Sequence, residues 1–327
     1  MFAKLKAMNK KRKAYDASLV RVAKMYNLPK WYFYIDVMMN KLLNGMGIVY
    51  YMAFGMYRLS QLERSHYVGG TKALKLERIF NTNKEKDALM HDKVRFNRVF
   101  GKYVHRDWIY GPDVSREQLE AFLNKHESFI LKPTNTSQGY GVRKGTSEEA
   151  LKDIGAFMQM IRNEELLMEE FIKQHEEMSA INPSSVNTIR IVTVMDRQGE
   201  VHVIGTSMRV GGADQVVDNF AAGGVQYPVD PTTGIVCGGG TLYDGTRNVF
   251  FHPSTNKQVI GFNIPNWNCV VETVKEAATL LEDIRYVGWD MAITETGCDM
   301  VEANINQGSN GMQQDGVGKY KIIMKYR

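Results

Sequence analysis

The stretch Gly288-Trp-Asp-Met-Ala-Ile-Thr-Glu-Thr-Gly-Cys-Asp-Met-Val-Glu-Ala-Asn304 reads as two strands folded back on each other, Tyr286–Ile293 and Cys298–Asn304. Glu302 and Asn304 are two apart, so on a strand they share a face. If Glu295-Thr296-Gly297 forms a three-residue hairpin loop with Gly in the left-handed position, Thr294 pairs with Cys298. Counting outward then sets Asp290 opposite Glu302, with their Cβ atoms ~5 Å apart. Two carboxylates held that close repel each other unless a positive charge sits between them. Hard oxygen ligands without His or Cys suit Mg²⁺. A solvated polar face satisfies the same spacing, and the pattern alone leaves both readings open.

Upstream, Phe129-Ile-Leu-Lys-Pro-Thr-Asn-Thr-Ser-Gln-Gly-Tyr-Gly-Val142 places Lys132 at a strand end. The loop after it is polar, and Gly139 and Gly141 allow close backbone approach. This can hold phosphate, although it is neither a Walker A nor a Rossmann motif, and a plain surface hairpin fits as well. Leu166-Leu-Met-Glu-Glu-Phe-Ile172 is an apolar strand running into acids, with Glu176 and Glu177 beyond. It can present backbone groups to a base edge and a carboxylate to ribose hydroxyls. Asn187-Thr-Ile-Arg190 and Met208-Arg209 set one arginine on each of two strands, as anion ligands or as structural ion pairs.

The remaining pattern is α+β with antiparallel hairpins rather than repeating βαβ units. Helices are expected at Lys84–Tyr103, from Ser115 to Lys125, from Ser147 to Arg162 and at Trp267–Glu282. Residues 1–85 read as helical, and Trp31, Tyr32, Tyr34, Met38, Leu42 and Leu43 form an apolar stripe expected to pack in the core. Gly45–Tyr57 is too short to span a bilayer.

Formal charge is +5, but residues 1–30 carry nine bases against one acid (Asp16), which leaves the rest slightly acidic. Such a start reads first as a solvated helix face, with peripheral association to a membrane or glycan machinery as the alternative. Three cysteines without CxxC spacing argue against a disulfide framework or zinc site. The seven histidines lack metal-ligand spacing, and no GxSxG, HRD or DFG occurs, which removes the main supports for hydrolase and protein-kinase readings. No signal peptide is visible, so a reducing cytoplasm is the expected compartment. Nucleic acid is not an expected partner.

Taken in order, these elements resemble the ATP-grasp superfamily, and more narrowly its sugar-transfer associated branch. The residues that carry the resemblance are His91-Asp-Lys-Val-Arg-Phe96, the Lys132 and Gln138–Val142 segments, Met168-Glu-Glu-Phe-Ile172, Asn182–Thr193 and the Asp290/Glu302/Asn304 set. The resemblance implies two α+β subdomains, about 86–180 and 181–327, sandwiching ATP after a helical region 1–85. It implies that Lys93 and Lys132 contact phosphates, with Ser137, Gln138, Gly139, Tyr140 and Gly141 as a lid over them. Glu169, Glu170, Phe171 and Ile172 would line the adenine hinge, and Glu177 would accept from ribose. Asp290, Glu302 and Asn304 would hold Mg²⁺. Arg190, Arg209 and Lys132 would be catalytic, while Asn187, Arg209, Asp218, Asn219, Gly223 and Gly224 would face the acceptor. The implied activity is ligation of a small carboxylate and an amine, on an amino acid or sugar derivative, through an acyl phosphate. A small-molecule kinase and a non-catalytic nucleotide-binding assembly factor are the alternatives. Many relatives begin with an α/β substrate domain, and the helical start departs from that.

Overall fold

The computed structural model describes residues 15–134, 136, 140–212, 224–242, 245–305 and 309–327. The basic tip before residue 15 lies outside them, as do Ser137, Gln138, Gly139, Asp218, Asn219 and Gly223.

The chain opens with helices: α1 over 15–25, α2 Lys30–Asn44, α3 Ile48–Ala53, α4 Gln61–Ser65, α5 Thr71–Phe80, α6 Lys84–His91 and α7 Lys93–Val99. The expected single helix from Lys84 is cut because the Asp92 carboxylate accepts from the Val94 and Arg95 amides and so starts α7. Strand β1, Trp108–Tyr110, follows, and then α8, Arg116–Lys125, opened by a reciprocal Ser115–Gln118 capping box. After β2, Ser128–Pro133, and β3, Arg143–Thr146, the expected helix from Ser147 is also divided. Asp153 ends α9, Ser147–Lys152, and caps α10, Ile154–Asn163. Strand β4, Leu166–Glu170, completes a four-stranded antiparallel sheet in the order β1-β4-β2-β3.

The second sheet has six strands in the order β10-β9-β5-β6-β7-β8. Helix α11, Glu176–Ile181, leads into β5, Thr188–Met195, β6, Val201–Val210, β7, Val225–Val229, and β8, Thr241–Leu242. Helix α12, Trp267–Thr279, precedes β9, Tyr286–Thr294, and β10, Gly297–Asn304; α13, Tyr320–Met324, closes the chain.

Period-two alternation decides which face of each sheet is dry. In the first sheet Phe129, Leu131, Leu166 and Met168 pack on Leu119, Phe122 and Ile161. In the second, Ile189, Ile191, Met208, Trp289, Met291 and Met300 pack on Val270 and Val274 of α12 and on Phe96 and Phe100. The opposite faces, carrying Lys132 and Glu169 in one sheet and Arg190, Arg209 and Asp290 in the other, form the cleft walls.

Helix α2 reverses the expected packing. Its inward side carries Asp36, Asn40 and Asn44 beside Phe33 and Val37, which pack in the N-terminal core. Asp36 takes two bonds from Arg64 at 2.6 and 2.8 Å and one from the Tyr51 hydroxyl at 2.5 Å. Asn40 donates to the Met46 carbonyl at 2.7 Å. Trp31, Met38 and Leu42 face solvent at 62, 63 and 76% exposure, with Tyr32, Ile35 and Leu43 beside them. The helix ends at Gly45, whose positive φ of 71° and tight approach to Thr71 leave no room for a side chain.

Candidate active site

The β9–β10 hairpin sets Asp290 opposite Glu302, by a different route from the one counted in sequence. Thr294 pairs with Gly297 rather than Cys298, so the loop is the two residues Glu295 and Thr296, and the register then slips by one residue between Met300 and Glu302. The shorter turn and the bulge cancel. As a result Asp299, Glu302 and Asn304 all face the cleft while Cys298 and Met300 face the core.

Asp290 is buried, and Arg190, its direct neighbour on β5, clasps both of its oxygens; Arg209 of β6 adds a bond at 2.8 Å. Burial alone would raise the Asp290 pKa, but the two guanidinium groups outweigh it and hold the carboxyl far below the usual range. Glu302 has a different environment. It keeps 51% of its side chain accessible, the nearest guanidinium nitrogen of Arg190 is 3.9 Å away, and the Asn304 amide donates to it at 2.9 Å. The surrounding protein and the Asp290 charge both raise its pKa. A carboxylate short of positive charge, with an amide oxygen on the next cleft-facing position, fits a hard divalent cation. Asp290 would have to share such an ion with two arginines.

On the facing wall, Lys132 forms an ion pair with Glu169. The Lys93 ammonium donates to the carbonyls of Pro133 at 2.9 Å and Thr136 at 2.5 Å, which ties α7 to the loop after β2. Burial lowers the Lys93 pKa, while the charges of Glu302 and Lys132 act on it in opposite directions. These three side chains therefore share one electrostatic environment. Tyr140 is exposed, and Gly141 adopts a positive φ of 77° beside Pro133.

Two side chains singled out from the sequence are held by neighbouring residues. Glu169 does not offer its side chain to a base: it is buried, bonded to Asn97 and Arg106 at 2.9 Å each, and paired with Lys132. Burial would raise its pKa, yet Arg106 and Lys132 hold it well below the ordinary range. Asn187 does not face an acceptor either; its amide is spent on the carbonyls of Met178 and Asn182, bracing the turn before β5. Glu170 turns to the helical side of the sheet, where it accepts from the Asp107 amide at 3.1 Å. Phe171 lies under the Lys144 ammonium, and Ile172 is half-buried after the strand. Glu177 is exposed in the first turn of α11, and Gly224 is buried just before β7.

The sequence reading missed Arg106. Fully buried, it bonds Glu169 of the first sheet at 2.9 Å and Asp299 of the second at 2.7 Å, joining the two walls by one guanidinium. It also missed four buried polar atoms without a hydrogen-bond partner among the described residues, Ser207 Oγ, Gln226 Oε1, Ser309 Oγ and Gln314 Nε2. Ser207 is opposite Arg190 and Gln226 opposite Arg209, so these two uncharged side chains adjoin the arginines. Away from the cleft, Asp107, His126 and Glu170 lie close together, as do Asp196, Glu200 and His202. Cys269 and Cys298 sit with sulfurs 3.2 Å apart, and burial pushes the Cys298 thiol up to about 12.

Residues 72–319 match the family described as sugar-transfer associated ATP-grasp. The chain belongs to that family. Among curated proteins no sequence matches it. Solved structures with a similar fold include an ADP complex of N5-carboxyaminoimidazole ribonucleotide synthetase (11% identity, TM-score 0.46). That match covers 73% of this chain and 52% of that one, so this chain spans about half the synthetase's length. The ATP-grasp ligase PsnB, bound to a precursor variant, Mg and ADP, is 12% identical at TM-score 0.45 over 81% of this chain and 65% of its own. An ATP-grasp RimK domain protein from Sphaerobacter thermophilus DSM 20745 is 12% identical at TM-score 0.45, over 75 and 70%. The family match bears out the ATP-grasp membership expected from the sequence, and its branch.

Proposed function

We propose that this protein is an ADP-forming carboxylate–amine ligase. The observation that carries the reading is the Arg106 bridge, which joins the wall of Lys93 and Lys132, through Glu169, to the wall of Glu302, Asn304 and the arginine-clasped Asp290, through Asp299. The lysines offset nucleotide phosphate charge. Glu302 and Asn304 are the residues best placed to hold Mg²⁺, which on binding would neutralise charge on the phosphates. Arg190 and Arg209, fixed by Asp290, point fixed donors toward the charge that builds as the γ-phosphoryl group moves to the substrate carboxylate. In that step the bond to ADP breaks and an acyl phosphate forms. The amine nitrogen then attacks the acyl carbon, phosphate leaves, and the amine gives up a proton.

Phe171 and Ile172 supply backbone for the adenine hinge, and Glu177 supplies the ribose acceptor. Gly224 joins Arg209 toward the acceptor. Ser207 and Gln226, uncharged beside the arginines, favour an acceptor rich in hydroxyl or amide groups, in line with a sugar or amino-acid derivative in polysaccharide building. A ³¹P survey with ATP, Mg²⁺ and candidate acids and amines tests the proposal. ADP, phosphate and an amide are expected. AMP would refute it, a phosphorylated alcohol would establish a kinase, and nucleotide binding without turnover would establish an assembly factor.

A further inference from the structure

We propose that the outward face of α2, together with the basic segment before it, docks this protein on an anionic lipid surface. Trp31, Ile35, Met38 and Leu42 recur at four-, three- and four-residue spacing, so they form one stripe along the helix, and all four are exposed. Tyr32, Met39 and Leu43 widen it. An exposed apolar surface this continuous marks a contact site.

The face cannot be satisfied by turning inward, because the inner side of α2 is already committed to the Asp36–Arg64 pair and the Asn40 bond. At 15 residues, roughly 22 Å long, the helix is too short to cross a bilayer, and no helix among the described residues is long and apolar enough to do so. It suits a position in the interface plane, where Trp and Tyr prefer the headgroup level and aliphatic side chains go below it.

Charge selects the occupant. Residues 1–30 carry nine bases and a single acid, Asp16, which is engaged by Lys30 at 2.7 Å. The one acid of α2 is Asp36, turned inward onto Arg64. Lys24 and Lys41 flank the stripe and are exposed. An anionic membrane complements both the apolar stripe and the bases. A second copy of the chain would bring two such basic segments together across a twofold axis, where they repel.

The full chain should co-sediment with phosphatidylcholine vesicles containing about one-third phosphatidylglycerol, and at least about tenfold less with phosphatidylcholine alone. Met38→Glu with Leu42→Glu should reduce the bound fraction about tenfold while the melting temperature stays that of the parent. Changing Lys10, Lys11, Arg12 and Lys13 to Gln should weaken anionic-vesicle binding and its loss between about 0.1 and 1 M salt. Parent-level binding by the double Glu variant would overturn the proposal, as would equal binding to the two vesicle types. A parent dimer that binds no vesicle and becomes monomeric in the double variant would assign the face to a second copy instead.

Discussion

In the two-sheet body, apolar side chains point inward at every second position and the charged ones line a cleft; in α2 the inward side mixes Phe33 with Asn40, Asn44 and the half-buried Asp36, and the exterior is Trp31, Ile35, Met38 and Leu42. Both regions bury charge, wholly or in part, and each such carboxylate has its arginine, Asp36 with Arg64 and Glu169 with Arg106. The difference lies in what remains outside. The body exposes polar groups between its two sheets, whereas α2 exposes a surface that water does not favour. Burial of polar groups is therefore no sign of a site by itself; the informative feature is which chemistry is left facing out.

The strongest test of this contrast is Arg106→Met. It leaves Glu169 and Asp299 buried without their shared cation and should cost about 3–5 kcal/mol at neutral pH, read by denaturant unfolding. In the parent, Arg106 and Lys132 hold Glu169 below its unfolded value. That contribution is present above the ordinary carboxylate range and fades as pH falls through the lowered value. In the variant the orphaned carboxylates bind protons more readily when folded, so the deficit should shrink on acidification. An unchanged midpoint would mean that the walls are not joined by charge.

Next in size, Glu302→Gln should cut Mg²⁺-dependent turnover about a hundredfold with the melting temperature unaltered, since Glu302 is in the cleft and outside the core. Lys132→Met should weaken ATP binding by about 1.5–3 kcal/mol by calorimetry. Full ATP affinity in a destabilised variant would make Lys132 only the partner of Glu169.

The smallest effects contrast the two sides of α2. Asp36→Asn should cost about 1–2 kcal/mol, because Arg64 and Tyr51 lose a charged acceptor. The exposed pair Met38→Glu and Leu42→Glu should change stability by no more than about 0.5 kcal/mol. A large loss from that pair would show that the stripe packs against something after all.

The family, the fold and the pairing of Asp290 with Glu302 were legible because they rest on local patterns: strand alternation, a Gly in a turn, motifs in a fixed order. The pairing was reached through a three-residue loop that the structure replaces by a shorter turn and a bulge, since register depends on backbone detail that spacing does not encode. Arg106 was invisible because its partners are 63 and 193 residues away. The stripe on α2 was seen but assigned to the core. Periodicity identifies an apolar face, and only the inward Asp36 and Asn40 reveal which way that face points.

The bulge between Met300 and Glu302 also bears on how this chain can change over evolutionary time. It places the structural acid Asp299 and the cleft acid Glu302, three positions apart, on the same side of one strand. Substitutions along β10 can be absorbed one at a time. A single-residue deletion at Val301 can be absorbed as well, because it removes the bulged residue and leaves Met300 opposite Met291 and Glu302 opposite Asp290. The hairpin can therefore lose a residue at the bulge but not beyond it, where deletion of Ala303 would set Asn304 opposite Trp289 on the core side.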